Sequence, residues 1–267
     1  MLLVCLGIAL SALAIGLAVL ALSGGSTDRS AGSGAERALK TTRHCRAGEI
    51  RLGSRRASFA AFVRTNAGVY RRPGGALLAT LPRLSKSFAG TNRSGVPTVV
   101  AVLTEVRASD CQARWYRIEL PGRPGAASAK DGYVRASAVA LAKVRTRVVV
   151  DLSQRKLTLF EDGVPVLRAP VAVGAPSTPT PRGRFIVRER IRITDSGGAY
   201  GAAAIALSAY SEKLSYWPEG GPVAIHGTND PGSIGKAASH GCVRLGAADL
   251  KRLFANVQLG TPVEIVG

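Results

Sequence analysis

Residues 147–173 read RVVVDLSQRKLTLFEDGVPVLRAPVAV. Two runs rich in β-branched and apolar residues, 147–151 and 156–160, flank the polar turn Ser153-Gln154-Arg155. Glu161-Asp162-Gly163 is a tight-turn sequence, and it leads into a third apolar run at 164–173. Apolar runs of this length between turn clusters read as strands, so this part of the chain starts as a β-meander. Downstream, Pro176, Pro179, Pro181 and Gly183 make a loop before a further strand at 185–190. Only one stretch has a clear helical period: in 247–256, Leu250, Leu253 and Phe254 fall at i, i+3 and i+4. Gly260 ends that helix and 262–266 returns as a strand. The expectation for 144–267 is a β-rich domain with one or two helices.

Upstream, 46–142 reads as a second and smaller β domain. Short apolar or alternating segments at 59–64, 76–81, 98–103, 115–120 and 132–135 are separated by Gly/Pro clusters such as Arg72-Pro73-Gly74-Gly75 and Pro121-Gly122-Arg123-Pro124-Gly125. Strands at that spacing predict a small all-β barrel. Trp115-Tyr116-Arg117-Ile118, followed by Gly132-Tyr133-Val134-Arg135, resembles the bacterial SH3-like wall-associated domains. The resemblance implies ligand binding or positioning and no chemistry of its own.

The chain has 267 residues with 36 Lys+Arg against 17 Asp+Glu, and 46% of it is hydrophobic, which excludes wholesale disorder. The charge is uneven. Residues 1–150 carry 23 basic and 7 acidic side chains, whereas 151–267 carry 13 and 10. A basic half attracts polyanions in general. With no helix-turn-helix pattern, zinc-finger spacing or RNP-like aromatic run, and aromatics at 5%, the expected partner is an anionic wall polymer and not nucleic acid. Leu2 to Leu22 is a run of 21 residues without a charge, long enough to cross a hydrocarbon core as a helix. It is read as a signal peptide or membrane anchor (1–23), with membrane contact through this segment. The Gly/Ser/Ala-rich stretch 24–45 follows as a flexible linker. An extracytoplasmic location, anchored or secreted, follows from that segment and from the site described next.

Of four cysteines, Cys5 lies in the apolar run, and Cys45 and Cys111 are expected to pair as a disulfide in an oxidising compartment. Cys242 is left over. It stands in Ser239-His240-Gly241-Cys242-Val243-Arg244, and Ile225-His226-Gly227-Thr228 precedes it by one loop. Two of the three histidines of the protein therefore lie close to the spare thiol. A thiol needs a base or a cationic neighbour to act near neutral pH, and histidine is the usual one. His226 ends an apolar strand and Cys242 opens another, so the loop between them can bring the two strand ends together. His240 and Cys242, two apart on a strand, are expected to share a face. Gly241 permits close backbone approach, and the amides of Gly241 and Cys242 are expected to hold an oxyanion. Zinc is disfavoured, because His226, His240 and Cys242 make three ligands where a structural site wants four. No cofactor is expected.

The Ser-His-Gly-Cys-Val-Arg signature, His226-Gly227-Thr228, Val150-Asp151-Leu152-Ser153, Leu157 to Gly163, and Thr180 to Phe185 together resemble the L,D-transpeptidase catalytic domain of bacterial cell walls, over about 144–266. The resemblance implies a β-rich sandwich. It implies a transpeptidase acting on peptidoglycan stem peptides through a Cys242 acyl-enzyme, with His226 as general base and the Gly227 carbonyl orienting its ring. In that reading His240 supports the loop or substrate, and Arg244, Ser239, Tyr210 and Ser208 contact substrate, with Tyr200-Gly201 as further pocket lining. An L,D-carboxypeptidase and a catalytically inactive wall-binding protein are the competing readings.

Overall fold

The computed structural model describes residues 46–88, 94–120, 131–211, 213–214 and 221–267. The apolar segment 1–23, the linker 24–45, Cys45 and the turn at 121–125 lie outside the described residues. Among the described residues no helix is long and apolar enough to cross a membrane.

The first half is an antiparallel sheet. Its strands are β1 (Gly48–Arg51), β2 (Ser58–Val63), β3 (Ala67–Tyr70), β4 (Leu77–Leu81), β7 (Val99–Arg107), β8 (Ala113–Glu119), β9 (Asp131–Arg135) and β10 (Val139–Val144). The spatial order is β10-β2-β7-β8-β9-β3-β4, with β1 added on β7. A small separate ladder joins β5 (Leu84–Ser85) to β6 (Val96–Pro97). Side chains alternate as the two-residue strand period demands. Val69, Val100, Val102, Tyr116, Ile118 and Val134 are buried in one core. The intervening Trp115 and Arg135 point outward, with the Arg135 guanidinium 4.8 Å from the Trp115 ring and Tyr70 edge-on to it at 5.4 Å. All five segments expected here are strands; β1, β3 and β10 are additional. β3 (AGVY) and β1 (GEIR) are four-residue strands, too short for an alternation to stand out in sequence.

The second half is a nine-stranded mixed sheet: β11 (Thr146–Asp151), β12 (Lys156–Glu161), β13 (Val164–Gly174), β14 (Gly183–Arg192), β15 (Ala203–Tyr210), β16 (Pro222–His226), β17 (Ala237–Ser239), β18 (Val243–Leu245) and β19 (Pro262–Val266). Their order is β12-β11-β19-β14-β15-β16-β18-β13-β17, and an additional β12–β13 pairing closes the ring of the first eight. Closure leaves no long open edge on those strands. The core within it is built from branched aliphatics such as Val148, Leu157, Val171, Ile205, Leu207, Ile225, Leu245 and Ile265. The single described α-helix, α1 (Ala247–Asn256), adds Leu250, Leu253 and Phe254 to that core, the three positions its sequence period marks. Arg190 donates to the carbonyl of Phe254, 2.5 Å away, near the C-terminal end of α1, where a cation is favoured.

Residues 44–267 make one compact unit. Val144 ends β10 and Thr146 begins β11, so Arg145 alone joins the two sheets. A small cluster of Ala60, Val99, Val144 and Ile186 packs between them. Gly260 sits there at φ 83°, where a Cβ would overlap that of Ala60. The buried carboxylate of Glu189 on β14 accepts the Ser87 hydroxyl at 2.7 Å and the Phe88 amide at 2.6 Å.

Candidate active site

β16 and β18 lie side by side and parallel, with Ile225 opposite Val243 and His226 opposite Arg244. Ile225, Val243 and Leu245 are fully buried in the core. The strand alternation therefore turns His226, Arg244 and the residues two before them, Ala224 and Cys242, to the other face. That face is floored by small side chains. Ala204 pairs with His226, Ala206 with Ala224, and Ala172 with Arg244. The alanines leave room for larger groups to lie across the sheet. In this parallel pair the residue two before Arg244 is a diagonal neighbour of His226 on the same face. His226 and Cys242 stand in that diagonal relation.

The sulfur of Cys242 is fixed from the neighbouring strand: the Ala224 amide donates to its Sγ at 3.5 Å. The turn into Cys242 is built by Gly241 at φ 112°, a backbone region only glycine enters readily. Ser239, which is buried, braces that turn twice. Its hydroxyl donates to the Cys242 carbonyl at 2.5 Å and accepts the Gly241 amide at 3.1 Å. Ser239's own carbonyl takes the Ala175 amide at 2.8 Å and the Thr178 hydroxyl at 3.2 Å, anchoring the turn into Cys242 to the proline-containing loop after β13. Thr180 holds the start of that loop by accepting the Gly174 amide at 2.8 Å.

His226 is 5% exposed. Its Nδ1 lies 2.5 Å from the carbonyl oxygen of Gly227, and the Tyr200 ring stands against it with centroids 4.6 Å apart. Burial lowers the imidazole to about 4, with the Gly227 carbonyl opposing and the Arg244 charge adding. Burial also pushes the Cys242 thiol up, partly offset by the Ala224 amide and by Arg244. Both groups are thus neutral at pH 7, a thiol and a free imidazole and not a preformed ion pair. Arg244 is half-buried, and its Nε is buried without a hydrogen-bond partner. An unpaired donor beside the two reactive groups is suited to an acceptor brought by a ligand.

The remaining expectations are redistributed. His240 is exposed and lies between β17 and β18, which are separate strands, and the chain turns at Gly241 between it and Cys242. Gly241's amide is engaged by Ser239, which removes it from the expected pair of oxyanion donors. Ser239 supports the turn by these contacts. Ser208 accepts the Ile186 amide at 3.0 Å, beside the irregular register of β14 and β15, and Tyr210 accepts from Arg188 at 2.8 Å. The expected partner of Cys111 lies outside the described residues. Among those residues no group of three His, Cys, Asp or Glu side chains is placed to hold a metal ion.

Sequence reasoning missed the alanine floor, the Ala224 amide on the thiol, and the bracing by Ser239 and Thr178. Only the floor had a visible signal, in the Ala-rich alternation of 202–209.

Residues 145–265 match the family model of the YkuD L,D-transpeptidase catalytic domain. The YkuD protein of Bacillus licheniformis is 41% identical over 119 residues, 45% of this chain and 64% of that protein. Its Bacillus subtilis counterpart is 38% identical over 118 residues, 44% of this chain and 64% of that protein. The solved catalytic domain of the Enterococcus faecium L,D-transpeptidase is 25% identical with a TM-score of 0.34, covering 45% of this chain and 95% of that one. Residues 145–265 are thus similar to the L,D-transpeptidase catalytic domain. The chain spans just under two thirds of the length of the two YkuD relatives.

Proposed function

We propose that the protein is a peptidoglycan L,D-transpeptidase that forms 3→3 cross-links through an acyl-enzyme on Cys242. The observation that carries this reading is the pairing of a neutral, carbonyl-anchored imidazole with a lone thiol on one sheet face. The Gly227 carbonyl can only accept, so Nδ1 carries the hydrogen and Nε2 keeps its lone pair. As Sγ of Cys242 attacks the carbonyl of the L,D peptide bond in a tetrapeptide stem, its proton passes to Nε2. The oxyanion is received by the Cys242 amide, such donors being worth about 3–4 kcal/mol each. Collapse breaks the C–N bond. His226 returns the proton to the departing D-Ala nitrogen, leaving a thioester. The side-chain amine of a second stem then attacks, His226 takes its proton, the C–S bond breaks and the proton returns to the sulfur.

In this reading Arg244 binds a stem carboxylate, and Tyr210 and Ser208 border the same face. His240, exposed at the turn before the nucleophile, meets the substrate from the solvent side. The 46–142 sheet serves as an SH3-like positioning module whose basic surface suits anionic wall polymers, with Cys45 and Cys111 paired. The substrate places the protein outside the cytoplasm, held or exported through 1–23.

Incubation with tetrapeptide stems tests the reading. Cross-linked dimers lacking one D-Ala are expected, and a carbapenem is expected to add its mass to the protein and not to a Cys242→Ala variant. Tripeptide without dimer identifies an L,D-carboxypeptidase instead. Absence of both products and of the adduct identifies an inactive wall-binding protein.

A further inference from the structure

Tyr200 is joined to His226 in two ways. It lies on the loop between β14 and β15, which closes on itself through the Ile193 amide to the Ala202 carbonyl at 3.0 Å and the Gly201 amide to the Gly198 carbonyl at 3.0 Å. Its ring stands 4.6 Å from the imidazole, tilted by 50°. Its backbone is pressed against the residue that anchors that imidazole. Gly201 sits at φ 61° with space for no Cβ, since one would lie 2.9 Å from Cα of Gly227. A Cβ on Gly227 would in turn lie 2.9 Å from the Tyr200 carbonyl oxygen. The two glycines make a close backbone crossing, which sets the ring over the base while the adjoining carbonyl holds Nδ1.

Tyr200 is 41% exposed whereas His226 beneath it is 5% exposed. The aromatic ring is therefore the part of this contact that faces water. Its phenol is raised by burial and, next, by the nearby Cys242, which places it in electrostatic reach of the nucleophile as well. We propose that Tyr200 is a positioning residue of the acyl transfer: its ring caps the His226 imidazole against water and holds it on the Gly227 carbonyl. This rests on the functional reading above for its consequence in catalysis, but not for the capping itself. An imidazole that takes a proton beneath the ring becomes a cation facing a π-system, an attractive arrangement. Burial beneath the ring lowers the imidazole's proton affinity, and the π contact offsets only part of that cost for the imidazolium formed during attack.

The groups set against His226 leave few other causes for a change in its titration. Cys242 and Arg244 approach from β18 and its preceding turn, Tyr200 from the β14–β15 loop. β15 presents Ala204, and α1 presents Leu250 beside Gly227, neither ionisable. Arg244 and Cys242 are common to every variant compared.

The test follows the His226 ring by NMR across pH in the full-length protein, together with the rate of Cys242 acylation by a carbapenem. In Tyr200→Ala the imidazole midpoint is expected to rise from about 4 toward the ordinary 6.5. Acylation at neutral pH is expected to fall ~10- to 100-fold, the scale of a misplaced catalytic group. Tyr200→Phe keeps the cap and is expected to keep the low midpoint. A folded Tyr200→Ala protein whose midpoint and acylation both match the parent overturns the proposal, as does one that loses thermal stability alone. If the alanine variant does not fold, Tyr200→Ser, which also removes the ring and its bulk, is read the same way through the midpoint and the acylation rate. A parent protein that is never acylated overturns the transpeptidase reading, while the NMR midpoints still decide the role of Tyr200.

Discussion

Nδ1 of His226 lies 2.5 Å from the carbonyl oxygen of the residue that follows it, Gly227. The chain thus supplies its own orienting group, where a protease triad would use a carboxylate from elsewhere in the fold. A neutral orienter does not stabilise an imidazolium as a carboxylate would. Burial therefore dominates, and the imidazole is neutral well below pH 7.

That depression has a consequence for stability. In the unfolded chain His226 takes up a proton near 6.5, in the folded protein only near 4. Between those values the unfolded state binds more protons, so folding stability is complete above pH 6.5 and is lost as pH falls toward 4. The contribution is about 3 kcal/mol by linkage. Urea unfolding of the parent and of His226→Gln at pH 7 and pH 4 is expected to show the smaller acid loss in the variant. Equal losses would remove the buried neutral imidazole from the account.

Ser239 braces the turn into Cys242 by one hydrogen bond given and one received. Ser239→Ala leaves the Gly241 amide and Cys242 carbonyl unpaired in a buried setting, at a cost of about 1–3 kcal/mol. Both a lower thermal midpoint and slower carbapenem acylation of Cys242 are expected. Unchanged acylation in the destabilised variant would show that the turn keeps its shape without the serine.

Arg244 brings a buried Nε with no hydrogen-bond partner, an arrangement that favours ligand binding over stability. Arg244→Met is expected to leave the unfolding free energy within about 1 kcal/mol of the parent, since an unpaired buried polar group is removed. KM for tetrapeptide stems is expected to rise about tenfold or more, the value of a charge-assisted hydrogen bond. Steady-state kinetics with an unchanged KM would assign Arg244 to structure.

Glu189 ties the two sheets together through Ser87 and Phe88. Glu189→Gln replaces one accepting oxygen by a donor facing donors, and a loss of about 1–3 kcal/mol is expected. Thermal unfolding followed by Trp fluorescence and by far-ultraviolet circular dichroism checks it. A variant as stable as the parent would show that the apolar cluster around Val144 and Ile186 suffices to dock the sheets.

The sequence by itself determined the elements whose signals are local. The apolar runs of 147–173, the turn at Asp162-Gly163 and the period of Leu250, Leu253 and Phe254 require only neighbouring residues to be read, and each is found where the pattern puts it. It also singled out the two residues to which the proposed chemistry is assigned, because a spare thiol and a histidine in glycine-rich surroundings are chemically distinctive wherever they fold. The tertiary structure decided the rest. Spacing alone suggested a shared face for His240 and Cys242, but the chain turns between them at Gly241, φ 112°, and His240 is exposed. Spacing could not reveal that Ser239 engages the Gly241 amide, that Ala224 of another strand holds the sulfur, or that Tyr200 covers the base. Those relationships join residues up to 26 positions apart in the chain. The longer-range ones exist only once β15, β16 and β18 are laid side by side in one register, since strand pairing is set by which side chains the whole core must bury and not by any one segment.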